Sequence, residues 1–292
     1  MSTAPAVQAP APLFPYERWG SRLPALARQY RENHPCPHIL LKDFLARETA
    51  LAMSKEFPTP TSDAWTQYKH ANENKLGMAK RELFPAIIKA VTDELNTPEF
   101  VAWVSELTGI PNLMADPMLE GGGLHQSGPG GYLNVHTDFS MHHFHTHWHR
   151  RVNLILYLNP GWREEWGGSI ELWERREQKM AGCAAKYPPL LNHALIFTTD
   201  ERSLHGFPDP LTCPEGQSRK SLALYYYTIE HGKVSGHSTD YFARPQDGLG
   251  KSALIWLDKK AVDLYSRAKA RFGFSDAWAS KVLGFLSNSK KK

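Results

Sequence analysis

The run Val135–Arg151, VHTDFSMHHFHTHWHRR, holds six of the chain's 14 histidines. Within it, His136 and Asp138 are separated by one residue. Side chains at i and i+2 of a strand point to the same face. One short segment can therefore offer an imidazole and a carboxylate to a single metal ion. His205, in RSLHGFP, follows the apolar run ALIFTTD and sits where an adjoining strand would begin, which makes it the candidate third ligand. Two histidines and one carboxylate on one face leave coordination positions open, an arrangement suited to Fe(II) and oxygen chemistry. Arg219 opens the alternating run RKSLALYYYT. A buried arginine needs an anionic partner, and a dicarboxylate ligand would satisfy it with paired hydrogen bonds. Lys220 points to the opposite face and is the weaker anchor.

The other histidines of the run, His142, His143, His145, His147 and His149, read first as polar residues of a loop between two strands. Substrate contact for one or two of them, or a second metal site, are the weaker readings. Arg150 and Arg151 are expected to pair with acids such as Glu164, Glu165 or Glu171, or to meet an anionic substrate. The Gly-rich stretch EGGGLHQSGPGG, residues 120–131, lacks the spacing and the lysine of a phosphate-binding loop and reads as a flexible lip. NENKLG (residues 72–77) and STDYFARP (residues 238–245) are candidate lids.

These residues need a scaffold. Helical spacing is expected at Trp19–Tyr30 with a break at Pro24, at Arg47–Phe57, at Lys80–Leu95 and at Pro98–Thr108. In the last of these, Thr97 and Pro98 form a start signal and Gly109 a stop. His38–Leu45 has the length of a strand. From about Asn112 to Thr228 the pattern changes to short apolar or alternating runs separated by Gly, Pro, Asn and Asp. Many short strands with turn signals between them indicate an antiparallel sandwich or barrel. Two terminal helices are expected at 258–272 and 275–286. The resulting plan is a disordered Ala/Pro leader (1–14), a helical support region (15–111), a β core (112–230), and a loop with C-terminal helices (231–292).

Composition narrows the function classes. A chain of 292 residues with 41% hydrophobic and 22% charged residues can build a packed core. The net charge of +4 is modest and is concentrated in the tail Lys290–Lys292, so nucleic-acid binding is not expected. Cys36, Cys183 and Cys213 form neither a CxxC pair nor a disulfide framework, which suits a reducing cytoplasm. The N-terminus lacks the charged start and apolar stretch of a signal peptide, and no run approaches a membrane span. The terminal helices leave a homo-oligomer open.

The blocks HTD, RVNLILYLNPGWREEWGGSIELW, NHALIFTTDERSLHGFP and RKSLALYYY, over roughly Leu119–Thr228, resemble the 2-oxoglutarate- and Fe(II)-dependent oxygenases, specifically their prolyl-4-hydroxylase-like branch. The resemblance implies an α+β fold with a double-stranded β-helix core (jelly-roll, cupin-like) and flanking N- and C-terminal helices. It implies iron ligands at His136, Asp138 and His205, and a 2-oxoglutarate distal carboxylate bound by Arg219 and Tyr157. His125 lies where the family often has a tyrosine near the co-substrate; the match needs a gap and the residue type differs. Fe(II), 2-oxoglutarate and O2 are the implied cofactor and co-substrates, with room for ascorbate as a reductant. The implied reaction is hydroxylation of an unactivated C–H bond, with succinate and CO2 as co-products. Asp138 favours hydroxylation over halogenation, because related halogenases have a small residue there. The implied substrate is a small molecule, an amino acid or peptidyl proline, or a sugar-containing compound. No motif separates them, and protein-prolyl hydroxylation is kept as one option.

Two other readings use the same ligands. A cupin-like sensor would bind metal without 2-oxoglutarate. A zinc hydrolase would use three protein ligands and a water, but no general base stands at HExxH spacing.

Overall fold

A computed structural model describes residues 11–177, 179–232 and 236–272. The chain begins with α1 (Tyr16–Gly20) and α2 (Leu23–Glu32), then β1 (His38–Leu41) and α3 (Arg47–Lys55). A hairpin follows, β2 (Thr66–His70) and β3 (Glu73–Met78), and after it α4 (Ala86–Glu94) and α5 (Pro98–Thr108). The β core comprises β4 (Met114–Ala115), β5 (Gly123–Ser127), β6 (Tyr132–Thr137), β7 (Trp148–Tyr157), β8 (Ile170–Arg176), β9 (Lys179–Tyr187), β10 (Ala194–Thr198), β11 (Leu204–Phe207) and β12 (Arg219–Ile229). The two-residue strand β13 (Asp240–Tyr241) and α6 (Leu249–Phe272) close the described chain.

All strand pairs are antiparallel and run in the order β1-β10-β7-β12-β5-β3-β6-β11-β8-β9, a sheet that curls into a nearly closed barrel. The gap between its ends is bridged by the Tyr187 hydroxyl and His38 Nε2, 2.7 Å apart. The fold is the jelly-roll expected from the sequence.

Strand alternation gives the wide half of the sheet two different faces. Val152, Leu154 and Leu156 of β7, Leu222, Leu224 and Tyr226 of β12, and Ile196 of β10 face outward. They pack with Leu26 and Tyr30 of α2, Ile88 and Val91 of α4, and Phe100, Val104 and Leu107 of α5 in one core. The helices are therefore a cover over one side of the sheet. The opposite face looks into the barrel, where Tyr157, Leu195 and Phe197 pack against Ile170 of the narrow half. The functional side chains lie on this inner face.

Several local expectations change. Pro24 lies in the first turn of α2 and starts that helix, as a residue without an N–H does best. The expected helix over Lys80–Leu95 is split: Arg81–Leu83 is a 3-10 turn, and Phe84, extended before Pro85, separates it from α4. At α5 the Thr97 hydroxyl accepts from the Phe100 amide and Gly109 adopts φ 73°, as the sequence signals require. Phe14 belongs to the folded body, fully buried against Phe44, Phe100 and Trp103. NENKLG is no lid: it forms β3, paired to β5 and β6. STDYFARP supplies β13, paired to β6 beside His136. The Gly-rich stretch contains β5, central to the sheet. The helix α6 starts at Leu249, nine residues before the expected Asp258. Residues 1–10 of the leader and the helix expected at 275–286 lie outside the described residues.

Candidate active site

His136 is the penultimate residue of β6 and His205 the second of β11, and the two are direct partners in the antiparallel register. Their rings lie 4.4 Å apart. Asp138 leaves the end of β6 on the same side. Its Oδ1 is 3.6 Å from His136 Nε2 and its Oδ2 is 3.4 Å from His205 Nε2. One ligand atom from each of the three falls within 4.8 Å of the others. The outward tautomer is fixed by the backbone. Nδ1 of His136 meets the Asn134 carbonyl at 2.9 Å, and Nδ1 of His205 meets the Ser203 carbonyl at 2.8 Å. A carbonyl only accepts, so each Nδ1 carries the proton and each Nε2 presents a lone pair to the centre.

The electrostatics fit a cation. Burial pushes the His205 pKa down to about 4, so the ring is neutral near pH 7. Burial alone would raise the pKa of Asp138. The charge of Arg150 beside it overrides burial and holds the carboxyl well below its usual range. Two imidazoles and one carboxylate form a donor set that fits a divalent metal. The sequence reading missed two partners of this carboxylate: Arg150 Nη2 lies 3.1 Å from Asp138 Oδ2, and Asn153 Nδ2 donates to the same oxygen at 2.7 Å. The only signal was placement, with Arg150 at the far end of the His-rich run. Arg151 pairs with Glu230 at 3.4 Å, so neither arginine meets Glu164, Glu165 or Glu171.

Arg219, the first residue of β12, is buried. Its Nε donates to the Gly168 carbonyl at 2.7 Å and its Nη2 to the Tyr157 hydroxyl at 3.2 Å. Its guanidinium lies over the Phe207 ring, 4.2 Å from the centroid. Phe207 is two residues beyond His205 on β11. Gly168 makes this cradle possible: it adopts φ 73°, and a Cβ there would sit 2.6 Å from Leu211 and 3.1 Å from Arg219 Cδ. Among the described residues no carboxylate pairs with Arg219, and burial lowers its pKa. Lys220 points to the other face, where its Nζ lies 5.8 Å from the centroid of the Phe57 ring.

His125 sits on β5 opposite Ser221 of β12 and Gly77 of β3. Burial, reinforced by Lys75, pushes its pKa down to about 3, so it is neutral near pH 7. No hydrogen bond joins it to Arg219 or Tyr157. A cleft of about 590 Å³ opens on Asp138; Arg31, Phe139, Arg151 and Thr199 are among its lining residues.

Residues 122–227 match the family described as the 2OG-Fe(II) oxygenase superfamily. The matched segment is most of the β core, and the enzymes of that superfamily work with Fe(II) and 2-oxoglutarate. Solved structures share the oxygenase fold. A prolyl hydroxylase from Trichoplax adhaerens, in complex with a hypoxia inducible factor peptide fragment, is 17% identical. It aligns over 72% of this chain and 91% of its own, with a TM-score of 0.52. A prolyl 4-hydroxylase from Phytophthora capsici is 18% identical over 94% of this chain and 80% of its own, with a TM-score of 0.51. No curated protein matches the chain. No helix among the described residues is long and apolar enough to cross a membrane.

Proposed function

We propose that this oxygenase hydroxylates an unactivated C–H bond, with His136, Asp138 and His205 holding Fe(II) and with Arg219 and Tyr157 holding the distal carboxylate of 2-oxoglutarate. The observation that carries the reading is a buried guanidinium without an acid, set over Phe207, two residues along the strand from His205. A buried unbalanced charge is costly, and a dicarboxylate reaching from the triad to Arg219 removes that cost. Bound iron supplies the oxygen activation that couples decarboxylation of 2-oxoglutarate, to succinate and CO2, to C–H hydroxylation.

The protein's part is orientation and exclusion of water. Backbone carbonyls aim the two Nε2 atoms. The Tyr157 hydroxyl accepts from Arg219 and can donate its own proton to a carboxylate. The inner wall of Ile170, Leu195 and Phe197 keeps the space between dry. Neutral His125 adds a polar side chain to the same interior. The cleft at Asp138 is the proposed substrate entrance, and its guanidinium and hydroxyl lining suits a polar substrate, whether a small molecule, an amino acid or peptide, or a sugar-containing compound. The three free cysteines suit work in a reducing cytoplasm.

Calorimetric titration of the Mn(II)-loaded protein with 2-oxoglutarate tests the assignment. Binding should weaken by about 100-fold or more in Arg219→Met, the scale of a truncated buried charge contact. Unchanged affinity would remove Arg219 from the role. Fe(II)-dependent succinate formation that survives in His136→Ala would remove the triad.

A further inference from the structure

Asp138 and Arg150 stand near the two ends of the His-rich run, and the fold closes that run so that their side chains meet. The Arg150 amide donates to the Ser140 carbonyl at 2.8 Å and the His142 amide to the Trp148 carbonyl at 3.0 Å, with Met141 and His149 bridging between. His142 is the hub of this hairpin. It is buried, its Nδ1 accepts from the amides of Phe144 (3.1 Å) and His145 (3.2 Å), and its ring packs edge-on against Trp148 and Tyr227. His145 stacks on Trp148 with centroids 4.2 Å apart.

This hairpin delivers Arg150 to a tight slot. Its guanidinium lies 3.4 Å from the centroid of Tyr225 and 4.6 Å from that of Phe139. Its Nε donates to Asn153 Oδ1 at 2.8 Å, Asn153 Nδ2 donates to Asp138 Oδ2 at 2.7 Å, and Arg150 Nη2 lies 3.1 Å from that same Oδ2. The three side chains form a closed triangle. The Asn153 hydrogen bond and the Arg150 ion pair both fall on Oδ2, which also lies 3.4 Å from His205 Nε2, while Oδ1 is turned towards His136 Nε2 at 3.6 Å. A carboxylate with one oxygen so occupied has one orientation and one free oxygen.

We propose that Arg150 is a positioning residue for Asp138: with Asn153 it engages Oδ2 and leaves Oδ1 as the oxygen presented to the metal. The inference rests on the reading of Asp138 as a ligand. It also gives the surplus histidines a task, because His142 and His145 pack the hairpin that carries Arg150.

The test is Mn(II) affinity of the protein without 2-oxoglutarate, measured by the electron paramagnetic resonance of free Mn(II), together with the visible d–d spectrum of the Co(II)-loaded protein. Arg150→Gln should weaken Mn(II) binding by about 10- to 100-fold, the usual effect of removing a partner of a metal ligand, and should shift the Co(II) bands. Arg150→Lys should recover part of the affinity. A purely structural Arg150 would lower thermal stability and leave the affinity and spectrum of the folded protein at wild-type values, which overturns the proposal. If Arg150→Gln does not fold, Asn153→Val removes the other donor to Oδ2; unchanged affinity and spectrum there overturn it equally. Asp138→Ala separates the two readings. If it binds Mn(II) like wild type, the ligand assignment fails. If it loses binding while the Arg150 and Asn153 variants keep it, only the positioning role fails.

Discussion

Two buried arginines on the inner face of the same barrel differ in one respect. Arg150 has an acid, Asp138, within 3.1 Å and an amide partner besides. Arg219 has a carbonyl and a phenol but, among the described residues, no acid. Burial is costly for both, and only Arg150 has that cost met within the chain. The balanced arginine is tied into the framework; the unbalanced one is the proposed anchor for the distal carboxylate of 2-oxoglutarate. A buried charge thus says more about binding through the partner it lacks than through those it has.

Stability measurements on metal-free protein should separate the two arginines most clearly. Asp138→Ala strands Arg150 and should cost about 3–5 kcal/mol in urea denaturation. Arg219→Met deletes a charge that nothing balances, and should leave stability unchanged or raise it by about 1 kcal/mol. Equal losses in both variants would end the distinction.

A third charged cluster sharpens it. His70 meets Asp258 of α6 at 2.6 Å and Glu73 at 2.9 Å, and Lys75 meets Glu73 at 2.8 Å. Burial alone would lower the pKa of His70, but hydrogen bonds to Asp258 and Glu73 raise it from 6.5 to about 9. A raised pKa contributes stability that is fully present below about pH 6.5 and lost as the pH rises through about 9. That contribution amounts to about 3 kcal/mol. Stability measured from pH 6 to 9.5 should therefore fall, and His70→Gln should flatten the fall. An identical slope in the variant would mean that α6 is held by other contacts.

The smallest effect concerns the exposed histidine of the hairpin. His147→Ala should stay within about 0.5 kcal/mol of wild type, as surface substitutions usually do, with metal content unchanged. A drop in bound metal would reopen the metal reading of the run.

Some elements were legible because they obey strong local rules. The Thr97–Pro98 start and the Gly109 stop of α5 are written in residues that only those positions favour. β7, β10 and β12 announce themselves because one face of each packs on the helices and must be apolar. The hairpin β2–β3 was not legible. Its inner face carries Glu73 and Lys75, paired to one another, so it shows no apolar alternation. β5 hid among glycines for a related reason: Gly123 approaches the Met78 carbonyl too closely for any side chain. At the candidate site, His136, Asp138, His205, Arg219 and Tyr157 could all be named beforehand, whereas the clamp of Arg150 and Asn153 could not.

The sequence by itself determined the donor types, the shared face of His136 and Asp138, and the order of strands that carries His205 and Arg219. Those follow from side-chain chemistry and the two-residue period of a strand. Only the tertiary structure decided which acid answers which base. Arg150 meets Asp138 because a hairpin folds back on itself, and among the described residues the barrel brings no acid to Arg219. Pairing of charges depends on distances across the fold, and no local pattern of residues contains them.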